Sequence, residues 1–369
     1  MTSTSLTAKP GPSEFVPIRN IWLLQIYASH LYQRGEITDT MLEDPDASLP
    51  MLATRMLCEA VQDRLRHDLS RGFTRTSGVL GRVRGRIDLL RSERDSLFAK
   101  GRVACEYNEV TVDTPANQYL RHALDAAATM LRQLSPALAG PGDSPTDLAH
   151  RCAMLSRMLV QSGVSPRVAP AAPPRSNNRL TARDSTALDT AHLVLRLQLP
   201  GGQRGTQKFR HPLHTENQLR TLFEAALLGL YRFHLSPLGW EVHGTRVLQW
   251  QVDETMRELP RMETDITLLN PSGQRIIADA KFTGITHRNY GQERLRSPHL
   301  YQLYAYLMSQ HGRGPEWDEA AGVMIYASLG EDREVTMSIQ GHPMKFSTVD
   351  LTGTARTIRE QALAAVYFP

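Results

Sequence analysis

The sequence predicts an α/β (α+β) protein in two parts: a mixed helix and strand N-terminal half, then a domain with a central mixed sheet flanked by helices. Three observations carry this. Hydrophobic spacing switches repeatedly between the helical and the strand period, a proline-rich run interrupts the middle of the chain, and the order after it is helix, consecutive strands, helix, strand. At 369 residues, 41% hydrophobic and 22% charged, the chain can bury a core in each of two domains.

The elements follow in order. After a disordered-looking start, IRNIWLLQIYASHLYQ (18–33) and LATRMLCEAVQDRLRHDLSRG (52–72) carry apolar residues at helical spacing, and the second is expected to end at Gly72. From Phe73 to Val112 the pattern becomes strand-like, in TSGVLGRVRGRIDLL and then RVACEYNEVTVD. Helix resumes in TPANQYLRHALDAAATMLRQL, with Thr114 as N-cap and Pro115 at the first helical position. The run VSPRVAPAAPPRSNNR (164–179) has four prolines and no periodicity, which places a linker or long loop at 166–179 between domains at 1–165 and 180–369. GGQRG (201–205) reads as a hairpin turn. A helix at 215–235, strands around 240–252, 262–269 and 275–282, a helix at 298–310 and a strand at 321–328 complete the pattern.

Composition narrows the function. No apolar run approaches the roughly 20 residues of a membrane helix, and the opening MTSTSLTAKPGPSEF lacks the apolar centre of a secretory signal, so a cytoplasmic protein with no membrane partner is expected. Cys58, Cys105 and Cys152 are far apart, with no C-x-x-C; they read as buried free thiols rather than a zinc site or a disulfide framework. A net charge of +4 permits a nucleic-acid partner without requiring one.

The chemistry concentrates in IIADAKF (276–282), where a carboxylate and an ammonium group interrupt an apolar strand. Alternation puts Asp279 and Lys281 on one face and Ala278, Ala280 and Phe282 on the other. Desolvating a lone charge costs several kcal/mol, so the pair needs each other, a metal, or a cleft open to water; an exposed strand wall is expected. Upstream, METDITLL places Glu263, Asp265 and Thr267 on one strand face, and the turn NPSGQR brings Asp265 beside Asp279 across a strand pair. Two carboxylates and a lysine suit metal-dependent phosphodiester hydrolysis: Mg²⁺ takes one or two protein carboxylates and keeps waters and phosphate oxygens in its other positions. On its own D-x-K also fits a surface hairpin with an ordinary ion pair. Glu224 sits on a mostly apolar face of the helix before the strands, and by itself it reads as a solvated residue. Gln302 and Tyr306, four apart on one helix face, either hold the site or only pack.

Asp265, Asp279 and Lys281 resemble the PD-(D/E)xK nuclease motif, with Thr264 where proline is common, and Gln302 with Tyr306 resembles the helix of its RecB-type branch. More widely, FVPIRNIWLLQIYA, GRVRGRIDLL, CEYNEVTVDTPANQYLRHAL, LFEAAL, QWQ, RMETDITL, IIADAKF and LYQLYAYL occur in the order of similar blocks in the McrC family of McrBC methylcytosine restriction systems, over roughly 15–330. The resemblance implies a PD-(D/E)xK restriction-endonuclease-like domain at 180–369 and a partner-docking domain at 1–165. It implies an endonuclease using Mg²⁺, with Mn²⁺ as a substitute, that cuts double-stranded modified DNA and stimulates an McrB-like AAA+ GTPase hexamer. Asp265, Asp279 and Lys281 would be catalytic, supported by Glu224 and Gln302, and Asp265, Asp279 and Glu224 would hold the metal. The sequence has neither GxxxxGK[ST] nor GxGxxG, so a nucleotide-driven motor would be another chain. A free-standing RecB-like repair nuclease and a non-catalytic GTPase-activating adaptor are the competing readings; the first leaves the N-terminal half without a role, the second leaves the charged strand without one.

In GRVRGRI, alternation would set Arg82, Arg84 and Arg86 on one strand face. Three like charges there need solvent, DNA phosphates or an acidic surface of the GTPase partner. Tyr306 is a further candidate DNA contact.

Overall fold

A computed structural model describes residues 16–44, 47–134, 144–166, 173–174, 181–198, 216–252, 258–289 and 292–368. In chain order these form α1 (Ile18–Tyr27), α2 (His30–Gln33), α3 (Asp39–Glu43), α4 (Leu49–His67), β1 (Gly72–Leu80), β2 (Arg86–Ile87), α5 (Leu89–Arg94), β3 (Val103–Thr111), α6 (Pro115–Gln133), α7 (Pro145–Gln161) and α8 (Ala182–Arg196). They continue as α9 (Glu216–Leu235), β4 (Glu241–His243), β5 (Arg246–Leu248), β6 (Met262–Thr264), β7 (Ile266–Leu269), β8 (Arg275–Lys281), β9 (Thr286–Asn289), β10 (Gln292–Leu295), α10 (Ser297–Met308), α11 (Pro315–Asp318), β11 (Ala321–Ser328), β12 (Glu334–Ile339), β13 (His342–Asp350) and α12 (Ala355–Ala365). The expected hairpin turn at 201–205 lies outside the described residues, as does most of the expected linker.

The chain divides into two compact units, residues 1–49, 135–141 and 199–369 in one, 50–134 and 142–198 in the other. This differs from the expected break at 166–179. The first three helices belong with the C-terminal unit because α1 and α2 pack on α9, and α3 on α12. Gly229 permits that approach, since a Cβ there would stand 1.9 Å from the Tyr27 carbonyl oxygen. Asn20 Nδ2 completes the attachment by donating to the carbonyls of Leu351 at 2.8 Å and Gly353 at 3.0 Å. Beyond the prolines, α8 packs on α6 and so belongs with the other unit. Linker composition marks where a chain leaves regular structure, not which core its next helix joins.

The first unit holds a six-stranded mixed sheet in the order β12-β13-β11-β8-β7-β4. β11 runs parallel to β8 and β13, whereas β12, β7 and β4 pair antiparallel with their neighbours. Helices flank it as expected: α10 packs on β8 and β11, α9 on β8 and β4, and α12 on β13 and β11. The apolar runs of β8 and β11 are buried because both strands are covered on both faces. Ile277, Met324 and Phe346 pack with Leu303 and Leu307 of α10 in one core cluster.

In the other unit, α6 packs on α7 and α8, and β3 pairs with both β1 and β2. The N-cap of α6 is as expected: Thr114 Oγ1 accepts from Asn117 N at 3.2 Å, with Pro115 next. α4 ends at His67, and Gly72 opens β1 instead of closing the helix. The arginine segment is not one continuous strand. The chain leaves β1 at Leu80 and re-enters the sheet only at Arg86, so Arg82 and Arg84 lie in an exposed loop and share no strand face with Arg86. Arg84 stacks over the Tyr107 ring at 4.3 Å, and Arg86 stands opposite Glu106 in the ladder. All three cysteines are buried free thiols, and the fold brings Cys58 and Cys152 to 3.4 Å between sulfurs.

Candidate active site

The site begins with a turn. Asn270 Oδ1 accepts from Ser272 N at 3.1 Å and Gln274 N at 2.9 Å, and Gly273 takes a φ of 88° that a side chain would oppose. This turn sets Ile266 opposite Ala278 and Thr267 opposite Ile277, which leaves Asp265 immediately before the first paired residue of β7, on the Asp279 side of the ladder. Asp265 Oδ2 accepts from Ala280 N at 2.9 Å. The expected juxtaposition of the two aspartates is present.

The regular alternation expected for 262–268 is not. The chain bends at Asp265: β6 pairs with β5 in a separate two-stranded sheet, and β7 joins the main sheet. A bend there breaks the period of two. Thr264 and Thr267, expected on opposite faces, place their hydroxyls 3.1 Å apart. Glu263 turns to solvent, where its carboxylate meets Arg261 at 3.3 Å, while Thr267 is buried. The pivot leaves Asp265 at the junction of the two sheets.

Asp279 and Lys281 share a face, with Lys281 Nζ 2.6 Å from Asp279 Oδ2. Their wall is not exposed. The Asp279 side chain is 2% accessible and that of Lys281 17%, because α10 packs over β8. Gln302 Nε2 donates to Asp279 Oδ1 at 3.0 Å and to the Tyr306 hydroxyl at 2.6 Å, and Tyr306 donates to the Glu263 carbonyl at 2.7 Å. The helical spacing therefore ties α10 to both acidic strands. Asp279 Oδ2 has the Lys281 ammonium as its partner.

Glu224 comes from α9, where Arg220 Nε meets its Oε1 at 3.2 Å. Burial, then the charge of Asp265, pushes the Glu224 carboxyl up to about 7. Burial raises Asp265 as well, and burial followed by the charge of Asp265 raises Asp279. The three acids thus feel one another across a part-buried space. Among the described residues, however, no three His, Cys, Asp or Glu side chains are grouped closely enough to form a ready-made metal cage.

Two neighbours escaped the sequence reading. Arg220 stands one turn before Glu224, a spacing visible in RTLFE. His299 stands one turn before Gln302; its Nδ1 lies 3.0 Å from the hydroxyl of Tyr326, which is opposite Lys281 on β11. Desolvation, followed by the charge of Lys281, lowers the His299 imidazole to about 4.

Fold and site together define a mixed α/β protein with paired acidic strands, a strand lysine and a supporting glutamine helix. The chain belongs to the McrBC 5-methylcytosine restriction system component family, whose family model matches residues 14–327. It is 24% identical over 348 residues to the Type IV methyl-directed restriction enzyme EcoKMcrBC of Escherichia coli (strain K12), covering 91% of this chain and 93% of that protein. A solved structure, described as a refined half-complex from a tetradecameric assembly of Thermococcus gammatolerans McrB AAA+ hexamers with bound McrC, matches at a TM-score of 0.45 and 12% identity over 95% of this chain and 76% of that one. No described helix is long and apolar enough to cross a membrane.

Proposed function

We propose that this restriction-system component is its Mg²⁺-dependent DNA endonuclease subunit, cutting modified double-stranded DNA and stimulating a separate McrB-like AAA+ GTPase. The observation that carries the reading is Asp265 bound to the Ala280 amide beside Asp279, with Lys281 two residues beyond Asp279 on the same face.

The donor set fits a divalent cation. Two hard carboxylates with raised proton affinity are held close enough for the charge of one to act on the other. Asp265 and Asp279 would hold the ion, with Glu224 joining from α9. Bound there, Mg²⁺ supplies a water of lowered pKa and positive charge beside the scissile phosphate.

The chain's own residues do the rest. The Ala280 amide fixes one Asp265 oxygen, and Gln302 and Lys281 hold the two Asp279 oxygens, so both carboxylates are oriented before an ion arrives. Lys281 brings an ammonium to the same wall, where it orients the attacking water and stabilises charge growing on the phosphate. Tyr306 holds Gln302 against the carbonyl before Thr264, which keeps α10 and the bend at Asp265 in step.

The E. coli relative's description as a methyl-directed enzyme supports methylated DNA as the substrate, and the lack of a P-loop sequence supports a motor on another chain. The test is cleavage of methylated duplex DNA by the chain with its GTPase partner, GTP and Mg²⁺, beside the chain alone. Cleavage only by the complete mixture is expected. Efficient, site-specific cleavage by the chain alone would favour the free-standing nuclease.

A further inference from the structure

Arg220 points to how the third carboxylate is controlled. Its guanidinium pairs with Glu224 across one turn of α9, and it is the outward member of the pair: 54% of its side chain is accessible, against 24% for Glu224. Arg220 and Lys281 are cations whose charges act on Glu224, Asp265 and Asp279 alike. Lys281 is already engaged beneath α10 with Asp279. Arg220 sits at the rim. Among the described residues, the acids do not form a three-ligand group. A guanidinium also matches a phosphate in bidentate geometry, so a DNA backbone can compete with Glu224 for the same donors.

We propose that Arg220 is a positioning residue that works as an exchangeable latch, holding Glu224 away from the Asp265–Asp279 pair until a DNA phosphate takes the guanidinium and frees Glu224 for the metal. The inference rests on the nuclease reading above. It links completion of the metal site to arrival of the strand to be cut, so the chain without DNA holds its metal weakly. An ordinary exposed i,i+4 pair would leave metal affinity and DNA affinity unlinked.

Mg²⁺ alone, titrated calorimetrically into the full-length chain without DNA, separates the two. Arg220→Met should bind Mg²⁺ about threefold more tightly than wild type, the scale of releasing an exposed ion pair, and the gain should vanish in Arg220→Met/Glu224→Gln. No gain, or a gain that persists without the Glu224 carboxylate and so reflects only the lost positive charge, overturns the latch. With Ca²⁺ in place of Mg²⁺ and a duplex oligonucleotide, Arg220→Met should lower affinity and flatten the dependence of log K on log salt by about 0.9, one phosphate contact; an unchanged slope overturns the exchange. Asp279→Asn separates this from the parent reading. If it binds Mg²⁺ and cleaves as wild type does, the site assignment fails; if it is inactive and Arg220→Met matches wild type throughout, only the latch fails.

Discussion

Gln302 Nε2 donates to Asp279 Oδ1 at 3.0 Å, so one amide on α10 sets the angle of the most buried carboxylate in the site. Gln302→Ala should leave the fold intact, because the residue is only half-buried, but free the Asp279 carboxylate to rotate. A fall in kcat of about tenfold or more with little change in KM is expected, the pattern of a lost positioning contact. A pure rise in KM would instead make Gln302 a DNA contact.

Asp279→Asn and Lys281→Ala remove one proposed metal ligand and one ammonium without enlarging the face that meets α9. Each should lower cleavage at least roughly 100-fold, with circular dichroism and binding to the GTPase partner unchanged. Near-normal cleavage by either purified variant removes that residue from the active site.

The proposed metal site has a stability counterpart. A carboxyl whose folded pKa lies above its unfolded value binds its proton more tightly when folded, so folded-state stability falls as pH rises between the two. For Glu224 that window runs from 4.5 to about 7, and the raised Asp265 and Asp279 act in the same direction. In EDTA, the urea midpoint should drop as pH rises from 5 to 8. Saturating Mg²⁺ should restore it at pH 8, and Glu224→Gln should flatten the slope. A midpoint independent of both pH and Mg²⁺ contradicts the crowded-carboxylate account.

What could be read from sequence follows from the range of each physical constraint. Asp265, Asp279 and Lys281 were legible because strand alternation and a short Asn-Pro-Ser-Gly turn fix both the face and the register locally. Gln302 and Tyr306 were legible through helical spacing. The bend at Asp265 was not, because it arises from two different partners, β5 for one side and β8 with β4 for the other, and pairing partners leave no local period. The same reason hid the return of α1 and α2 to α9, and the meeting of Cys58 with Cys152 across 94 residues. β12, β13 and α12, after the last assigned strand, complete one edge and one face of the sheet.

The exposed loop between β1 and β2 gives the last prediction. Arg82, Val83 and Arg84 are all exposed there, and Arg84 is held out by stacking on Tyr107, which costs little entropy when a partner surface arrives. Arg86 is less free, since it faces Glu106 across the ladder. Arg82→Glu with Arg84→Glu therefore tests the loop without putting two acids opposite each other in the sheet. If the loop docks on an acidic surface of the GTPase, the double variant should lower partner-stimulated GTP hydrolysis several-fold without DNA present, because reversed rim charges slow association. A phosphate-binding loop would keep that rate and instead lose salt-sensitive DNA affinity, about 0.9 in the log–log slope for each phosphate released. The docking outcome is the one expected if the proposed GTPase motor is a separate chain. A double variant indistinguishable from wild type in both assays would leave these arginines as a solvated cover for the β1–β2 connection.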